Sequence, residues 1–303
     1  MRLVFAGTPD VAVPALDALT DSAHEVVAVL TRPDAPAGRG RRLTPSPVAA
    51  RAEELGLEIL KPAHPRDAHF QDRLRELAPD VCPVVAYGAL LPQTALDIPT
   101  HGWVNLHFSL LPRWRGAAPV QRAVMAGDAE IGTSCFEIVR ALDAGDVYLT
   151  ESFPMPDATA GELLAQLAES GARQLTRTID LIAAGIHPTP QADDGVTLAA
   201  KITVEEARLD LRRPAGELRN HIMGCSPDPG AWCELDGQRF KIYRARVAEP
   251  LDLGPGRLSA TKRQLFVGTG DGTLELLEVQ APGKKRMAAI DWARQGVTGK
   301  VLS

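Results

Sequence analysis

Asn105 and His107 stand two residues apart in VNLHFSLLPRWRGAAP (104–119), near the end of an otherwise apolar, strand-like run. Side chains two apart on a strand share a face, so the carboxamide and the imidazole point one way while Val104 and Leu106 point the other. Polar groups there are costly unless something satisfies them. Loop backbone is one candidate partner. A ligand is the other, because open α/β sheets bind ligands beyond the carboxyl ends of their strands. A carboxamide donates hydrogen bonds without titrating, and an imidazole donates, accepts or carries charge near neutral pH. Such a pair suits donation to, and proton exchange with, a reacting group. Asp143, in the turn LDAGD (142–146), reads either as an ordinary turn former or as a carboxylate serving the same site.

A second feature is TRPDAPAGRGRRLTPSPVAAR (31–51), where Arg32, Arg39, Arg41, Arg42 and Arg51 face a single acidic residue, Asp34. It reads as a long loop between strand and helix. Its lack of counter-charge suits contact with a polyanion better than a merely solvated connection. Other stretches offer less. AGTPDVAV follows the first strand but lacks G-x-G-x-x-G and puts an aspartate where a pyrophosphate would sit; GTGDGT (268–273) falls in an expected hairpin. No G-x-S-x-G or Walker loop is present. Hydride-transfer, serine-hydrolase and NTPase readings are therefore weak.

The elements that must position these residues follow from periodicity. Short apolar runs at 2–7, 25–31, 57–61, 80–88 and 102–108 alternate with helical stretches at 48–56 and 66–77, with another at 117–127. That alternation implies an α/β, Rossmann-like, mostly parallel sheet. Two further strands flank LDAGD, and a long amphipathic helix spans 160–185. The rhythm then changes. Asp236-Gly237 and Asp271-Gly272 each sit between short β-like runs, marking tight hairpins and a small, OB-like β-barrel at the C-terminal end. The expected organisation is a domain over 1–188, a Pro-, Asp-, Gly- and Thr-rich linker over 189–206, and the barrel over 207–303.

Charge and composition set the class. The chain has 303 residues and a net charge of −5, yet residues 207–303 hold 16 Lys and Arg against 11 Asp and Glu. A basic tail on an acidic front is expected when one part meets a polyanion. Cys82, Cys135, Cys225 and Cys233 show no C-x-x-C spacing, and the histidines no metal-binding cluster. No apolar run is long enough to span a membrane. The expectation is a cytoplasmic protein that needs no metal, with no large self-complementary apolar patch and hence a monomer.

NLHFSLLPRWRGAAP followed by LDAGD closely resembles the core of the folate-dependent formyltransferases, and the likeness extends through FAGTPD, PAGRGRRLTPSPV, AYGALLP, KIT near 201 and QAPGKKRM. The arginine loop and the basic barrel resemble the branch of that family that acts on tRNA. The resemblance implies a formyltransferase fold and transfer of the formyl group of 10-formyltetrahydrofolate to the methionine amine of initiator methionyl-tRNA. It implies Asn105, His107 and Asp143 as the catalytic trio, Ser109, Leu110, Leu111 and Pro112 along the tetrahydrofolate, and Arg39, Arg41 and Arg42 at the tRNA. Lys241, Arg244, Arg246, Lys284, Lys285 and Arg286 would meet phosphates further away. Phe108, where many relatives hold a small residue, and MGCSPDPGAW are the departures. In such a reaction the hard species is the anionic tetrahedral intermediate, and preformed donors aimed at its oxygen are the main catalytic device. The rivals are a formyltransferase for a small amine, a formyl-folate hydrolase and a non-catalytic RNA-binding protein.

Overall fold

The structure is a computed structural model that describes residues 1–37, 42–294, 296–297 and 299–303. The chain forms two compact units. One holds Met1–Gly116, Gly132–Phe153 and Leu164–Leu198; the other holds Ala117–Ile131, Pro154–Leu163 and Ala199–Ser303.

In the first unit the apolar runs become β1 (Arg2–Gly7), β2 (Glu25–Leu30), β5 (Glu58–Leu60), β6 (Cys82–Val85) and β7 (Trp103–His107), which pair in parallel in the order β5-β2-β1-β6-β7. Strands buried on both faces read as near-continuous apolar runs, and β1 is buried from Leu3 onward. Helices α1 (Val13–Thr20), α2 (Pro47–Glu54), α3 (Ala68–Leu77) and α4 (Gln93–Leu96) make the connections. Ser46 caps α2 through its hydroxyl and Asp67 caps α3 through its carboxylate, as their residue types favour. The strand order reverses beside β1, the arrangement that opens a crevice at the carboxyl ends of doubly wound sheets. The mostly parallel α/β expectation holds.

The sheet continues with β8 (Glu130–Glu137), antiparallel to β7, and β9 (Val147–Pro154) at its edge. The register sets Asn105 opposite Phe136 and His107 opposite Ser134. Leu106 faces the other way, against Gly171 of the long helix α6 (Ala160–Ala183), where an added Cβ would lie 2.8 Å from a Leu106 methyl. That contact assigns Asn105 and His107 to the opposite face. Trp103 anchors the strand, wholly buried with its indole N–H on the Ala95 carbonyl at 2.9 Å. Residues 31–51 differ from the simple loop expected: β3 (Ala35–Ala37) and β4 (Arg42–Thr44) pair as an antiparallel ribbon. Only hydrogen bonding along the ribbon reveals it, because no buried face imposes a period on its sequence; Leu43 is 72% exposed.

In the second unit α5 (Pro119–Ala126) and α7 (Ala215–Gly224) accompany an antiparallel sheet of β10 (Ala231–Leu235), β11 (Gln238–Ala248), β12 (Leu258–Ala260), β13 (Leu265–Gly268), β14 (Thr273–Gln280) and β15 (Met287–Ala288), with α8 (Ala289–Ala293) near the end. The last residues bridge both edges, Leu302 to Leu235 and Val301 to Arg257, and so close the sheet on itself. Closure removes the unpaired edges that β10 and β12 would otherwise expose. Asp236 and Gly237 both have positive φ, +52° and +72°, as a two-residue hairpin with right-handed twist requires. Asp271-Gly272 does not repeat this turn. The β13–β14 loop spans 269–272, Asp271 lacks the positive φ, and its carboxylate instead accepts the Ala215 N–H at the start of α7, 2.7 Å away.

Two glycines separate close packing from helix propensity. A Cβ on Gly132 would lie 2.0 Å from the Glu151 carbonyl oxygen and 2.4 Å from a Leu110 methyl. Gly132→Ala is expected to destabilise the protein by about 1–3 kcal/mol through overpacking. Gly216 in α7 faces open space, so Gly216→Ala is expected to be neutral or to stabilise by up to about 1 kcal/mol. Denaturant unfolding midpoints of the two variants test both signs.

Candidate active site

β7 ends at His107, and the chain then folds a tight loop over the end of its own strand. Ser134, across the sheet from His107, staples that loop: its hydroxyl donates to the Ser109 carbonyl (2.8 Å) and accepts the Leu111 N–H (3.2 Å). Ser109 is buried, and its own hydroxyl donates to the Arg113 carbonyl at 2.7 Å. Its side chain thus shapes the loop that presents Leu110, Leu111 and Pro112, all half-buried. Phe108 is buried beside them. At Trp114 the backbone enters the left-handed region, φ +64°, which returns the Trp114 carbonyl to the imidazole.

His107 Nε2 lies 2.8 Å from that carbonyl oxygen. A carbonyl only accepts, so Nε2 carries the proton, and in the neutral ring Nδ1 keeps its lone pair. Nδ1 points to the Asp143 carboxylate, with Oδ2 3.9 Å away. That spacing is too long for a hydrogen bond and short enough for strong charge coupling. The ring is almost wholly buried and meets Phe136 edge-on, centroids 6.1 Å apart. Burial is the largest influence on its titration and pushes the pKa below the usual 6.5; Asp143 and the Trp114 carbonyl pull the other way. The net effect is a neutral imidazole near pH 7. Asn105 shares the face and is half-buried.

Asp143 sits at φ +47°, a left-handed position that Asp tolerates better than most residues. Its Oδ2 accepts the Gly116 N–H at 2.7 Å. The Trp114 carbonyl orients the imidazole, and Asp143 acts on it across a gap. Close by, a Cβ on Gly145 would fall 1.8 Å from the Glu137 carbonyl oxygen, so only glycine allows the turn to lie flat on β8. The structure therefore brings Asn105, His107, Asp143 and the 109–112 loop together at one end of β7. Exposed apolar side chains, Leu90, Val139 and Leu142, stand on the loops that follow β6 and β8.

Of the arginines, Arg42 is exposed on β4, while Arg39 and Arg41 lie outside the described residues. In the second unit Arg246 pairs with Glu275 (2.7 Å), Arg286 with Glu278 (2.5 Å) and Arg244 with Glu162, and the Lys241 ammonium donates to the Pro229 carbonyl. Lys284 and Lys285 are exposed. Sequence reasoning missed Ser134, the Trp114 carbonyl, the Gly116 N–H and Gln191, whose amide holds the Asp143 turn. Backbone groups leave no residue-type signal, and Gln191 lies in a stretch that reads as a connector.

The formyl transferase family profile matches residues 1–179, and the profile of the formyl transferase C-terminal domain matches 201–296. A methionyl-tRNA formyltransferase of Streptomyces coelicolor is 60% identical over 298 residues, covering 97% of this chain and 96% of that protein. Among solved structures, HypX from Aquifex aeolicus superposes with a TM-score of 0.71 at 19% identity, over 99% of this chain and 48% of its own. A methionyl-tRNA formyltransferase from Clostridium thermocellum gives 0.60 at 14% identity, over 82% of this chain and 94% of that one. At these identities the two structures speak for the fold alone.

In the free protein the His107 imidazole is expected to titrate below 6.5, because burial outweighs the carboxylate. Asp143→Asn removes the negative charge that favours the imidazolium, so the value should fall further. Histidine NMR titration of the two proteins checks the sign; a rise in the variant would contradict the coupling.

Proposed function

The chain belongs to the methionyl-tRNA formyltransferase family, and from that premise we propose that it moves the formyl group of 10-formyltetrahydrofolate to the α-amino group of methionine on initiator methionyl-tRNA, giving N-formylmethionyl-tRNA for translation initiation. The observation that carries the mechanism is the buried neutral His107, its Nδ1 lone pair turned toward Asp143 on the face it shares with Asn105.

An α-amine with a pKa near ~8 is already partly neutral at physiological pH, so it needs little activation. Its lone pair attacks the formyl carbon, and the C=O π pair moves onto oxygen. The Asn105 carboxamide donates to that oxygen, where preorganised donors act most strongly. As the N–C bond forms, the amine nitrogen becomes cationic and its proton passes to His107 Nδ1. The imidazolium then lies between the hydrogen-bonded Trp114 carbonyl and the nearby Asp143 charge, which together offset the cost of a buried charge. His107 returns the proton to N10, the C–N10 bond breaks, the carbonyl reforms and tetrahydrofolate leaves. His107 thus serves first as base and then as acid. No covalent intermediate on the protein is required.

Leu110, Leu111 and Pro112 give apolar contact to the folate, and Ser109 sets the curve of their loop. The exposed Leu90 and Leu142 suit the flanks of a flat heterocycle. We assign the catalytic role to residues 1–188 and tRNA binding to the barrel of 207–303, with 189–206 between them. Arg39, Arg41 and Arg42 would meet the acceptor end. Part-exposed ion pairs contribute little to stability, so Arg244 and Arg286 can exchange a carboxylate for a phosphate at small cost, whereas Arg246 holds the buried Glu275 and is less free to do so. No helix among the described residues is long and apolar enough to cross a membrane. The proposal is a monomer working in the cytoplasm, where charged tRNA is found.

Formylation of methionyl initiator tRNA, run beside methionyl elongator tRNA and small amines, tests the substrate; a preference for a small amine would overturn it. Asn105→Ala and His107→Ala should each lower kcat about 100-fold or more while tRNA still binds. Arg39→Ala should raise KM for tRNA and leave kcat nearly unchanged. Near-normal turnover by His107→Ala would remove the catalytic assignment.

A further inference from the structure

Residues 189–198 belong to the first unit and lie along both loops that carry the site. Thr189 and Val147 exchange backbone hydrogen bonds at 2.8 and 2.9 Å. Further on, the Thr197 hydroxyl accepts the Trp114 N–H (2.8 Å) and its carbonyl accepts the Arg115 N–H (2.9 Å). Between these ties stands Gln191. Its Nε2 donates to the Asp143 carbonyl at 2.9 Å and the Gly145 carbonyl at 2.8 Å. Its Oε1 accepts two N–H groups of the Arg115 guanidinium, at 3.1 and 2.7 Å.

The orientation of this amide is dictated by chemistry. Carbonyls only accept and a guanidinium only donates, so the nitrogen must face the 143–145 turn and the oxygen must face Arg115. Both donor hydrogens and both lone pairs are engaged. One half-buried side chain therefore ties the loop after β7 to the turn before β9. The consequence falls on Asp143. Its backbone is held in the left-handed region, a conformation that persists only where the surroundings enforce it. Gln191 holds that residue's carbonyl, while the Gly116 N–H, next to Arg115, holds its carboxylate. Both grips on Asp143 thus lead back to the same amide.

We propose that Gln191 is a positioning residue for formyl transfer: by clamping the 143–145 turn to Arg115 it sets the Asp143 carboxylate at its distance from His107. The assignment rests on the reading of Asn105, His107 and Asp143 as the reacting set, and it adds a fourth side chain that touches no substrate. Gln191→Glu keeps an acceptor for Arg115 but turns a carboxylate oxygen toward two carbonyls. The turn is then released. Gln191→Met keeps the length of the side chain and removes all four hydrogen bonds.

The test is steady-state formylation of methionyl initiator tRNA by wild type, Gln191→Glu, Gln191→Met, Asp143→Asn, each Gln191 variant combined with Asp143→Asn, and His107→Ala. A displacement of about 1 Å at a catalytic group costs up to about 100-fold in rate. Each Gln191 variant is therefore expected to lose 10- to 100-fold in kcat, with KM for both substrates changed less than threefold. In the Asp143→Asn background the same substitutions should cost less than threefold, because the group they position is already disabled. Equal losses in both backgrounds, or a change confined to KM, would overturn the proposal, as would near-normal kcat in both Gln191 variants. If His107→Ala also turned over normally, the reading of the site itself would fail; a collapse in His107→Ala beside near-normal Gln191 variants would remove this inference alone. Far-ultraviolet circular dichroism and thermal unfolding identify a variant that fails to fold, and the other Gln191 variant then decides.

Discussion

The hydrogen bond from His107 Nε2 to the Trp114 carbonyl is the constraint on which the site depends. It selects the tautomer, holds the ring at the end of β7 and leaves one nitrogen with a lone pair. To make it, the chain must turn back within seven residues, and the rest of the loop answers that demand. Trp114 takes a left-handed conformation, Ser134 pins the loop from β8, and Ser109 folds its hydroxyl onto Arg113. These are local concessions around one bond. Their cost is met by a sheet whose central strands are almost wholly buried and whose register the apolar pattern enforces.

A second tension runs through the same ring. Burial disfavours the imidazolium, while Asp143 and the Trp114 carbonyl favour it. Burial prevails in the free protein, and the opposing pull is what the proposed role, taking and returning a proton within one reaction, requires. A carboxylate in full hydrogen-bond contact with Nδ1 would hold the proton there and blunt the base. A carboxylate far away would leave the imidazolium stranded in an apolar pocket. The gap of 3.9 Å lies between these limits, and it is kept by the Gly116 N–H at one end of Asp143 and by Gln191 at the other.

The second unit obeys a different logic. Its core is a sheet closed by the last residues of the chain, with Leu302 and Val301 bridging strands that are distant in sequence. On that unit Arg286 and Arg244 pair with part-exposed carboxylates, while Arg246 holds the buried Glu275. Part-exposed pairs of this kind contribute little to stability.

Much of this was legible in the residues alone. The alternation of apolar runs with helical periods determined the mostly parallel sheet, since strands buried on both faces can be little else. The period of two placed Asn105 and His107 on one face, and Asp236-Gly237 marked its hairpin because few residues tolerate two positive φ values in succession. Other features were beyond reach. The ribbon of β3 and β4 buries no face, so nothing in its pattern announces it. Asp271 resembles the earlier hairpin in sequence yet serves as a cap for α7, a partner 56 residues away. The groups that tune the site are backbone carbonyls and N–H donors, which every residue possesses, and an amide from a stretch that composition marks as a connector. Residue type and spacing determined which side chains could react; only the folded chain decided which proton His107 carries and how far Asp143 stands from it, because those depend on distances between segments that the sequence keeps apart.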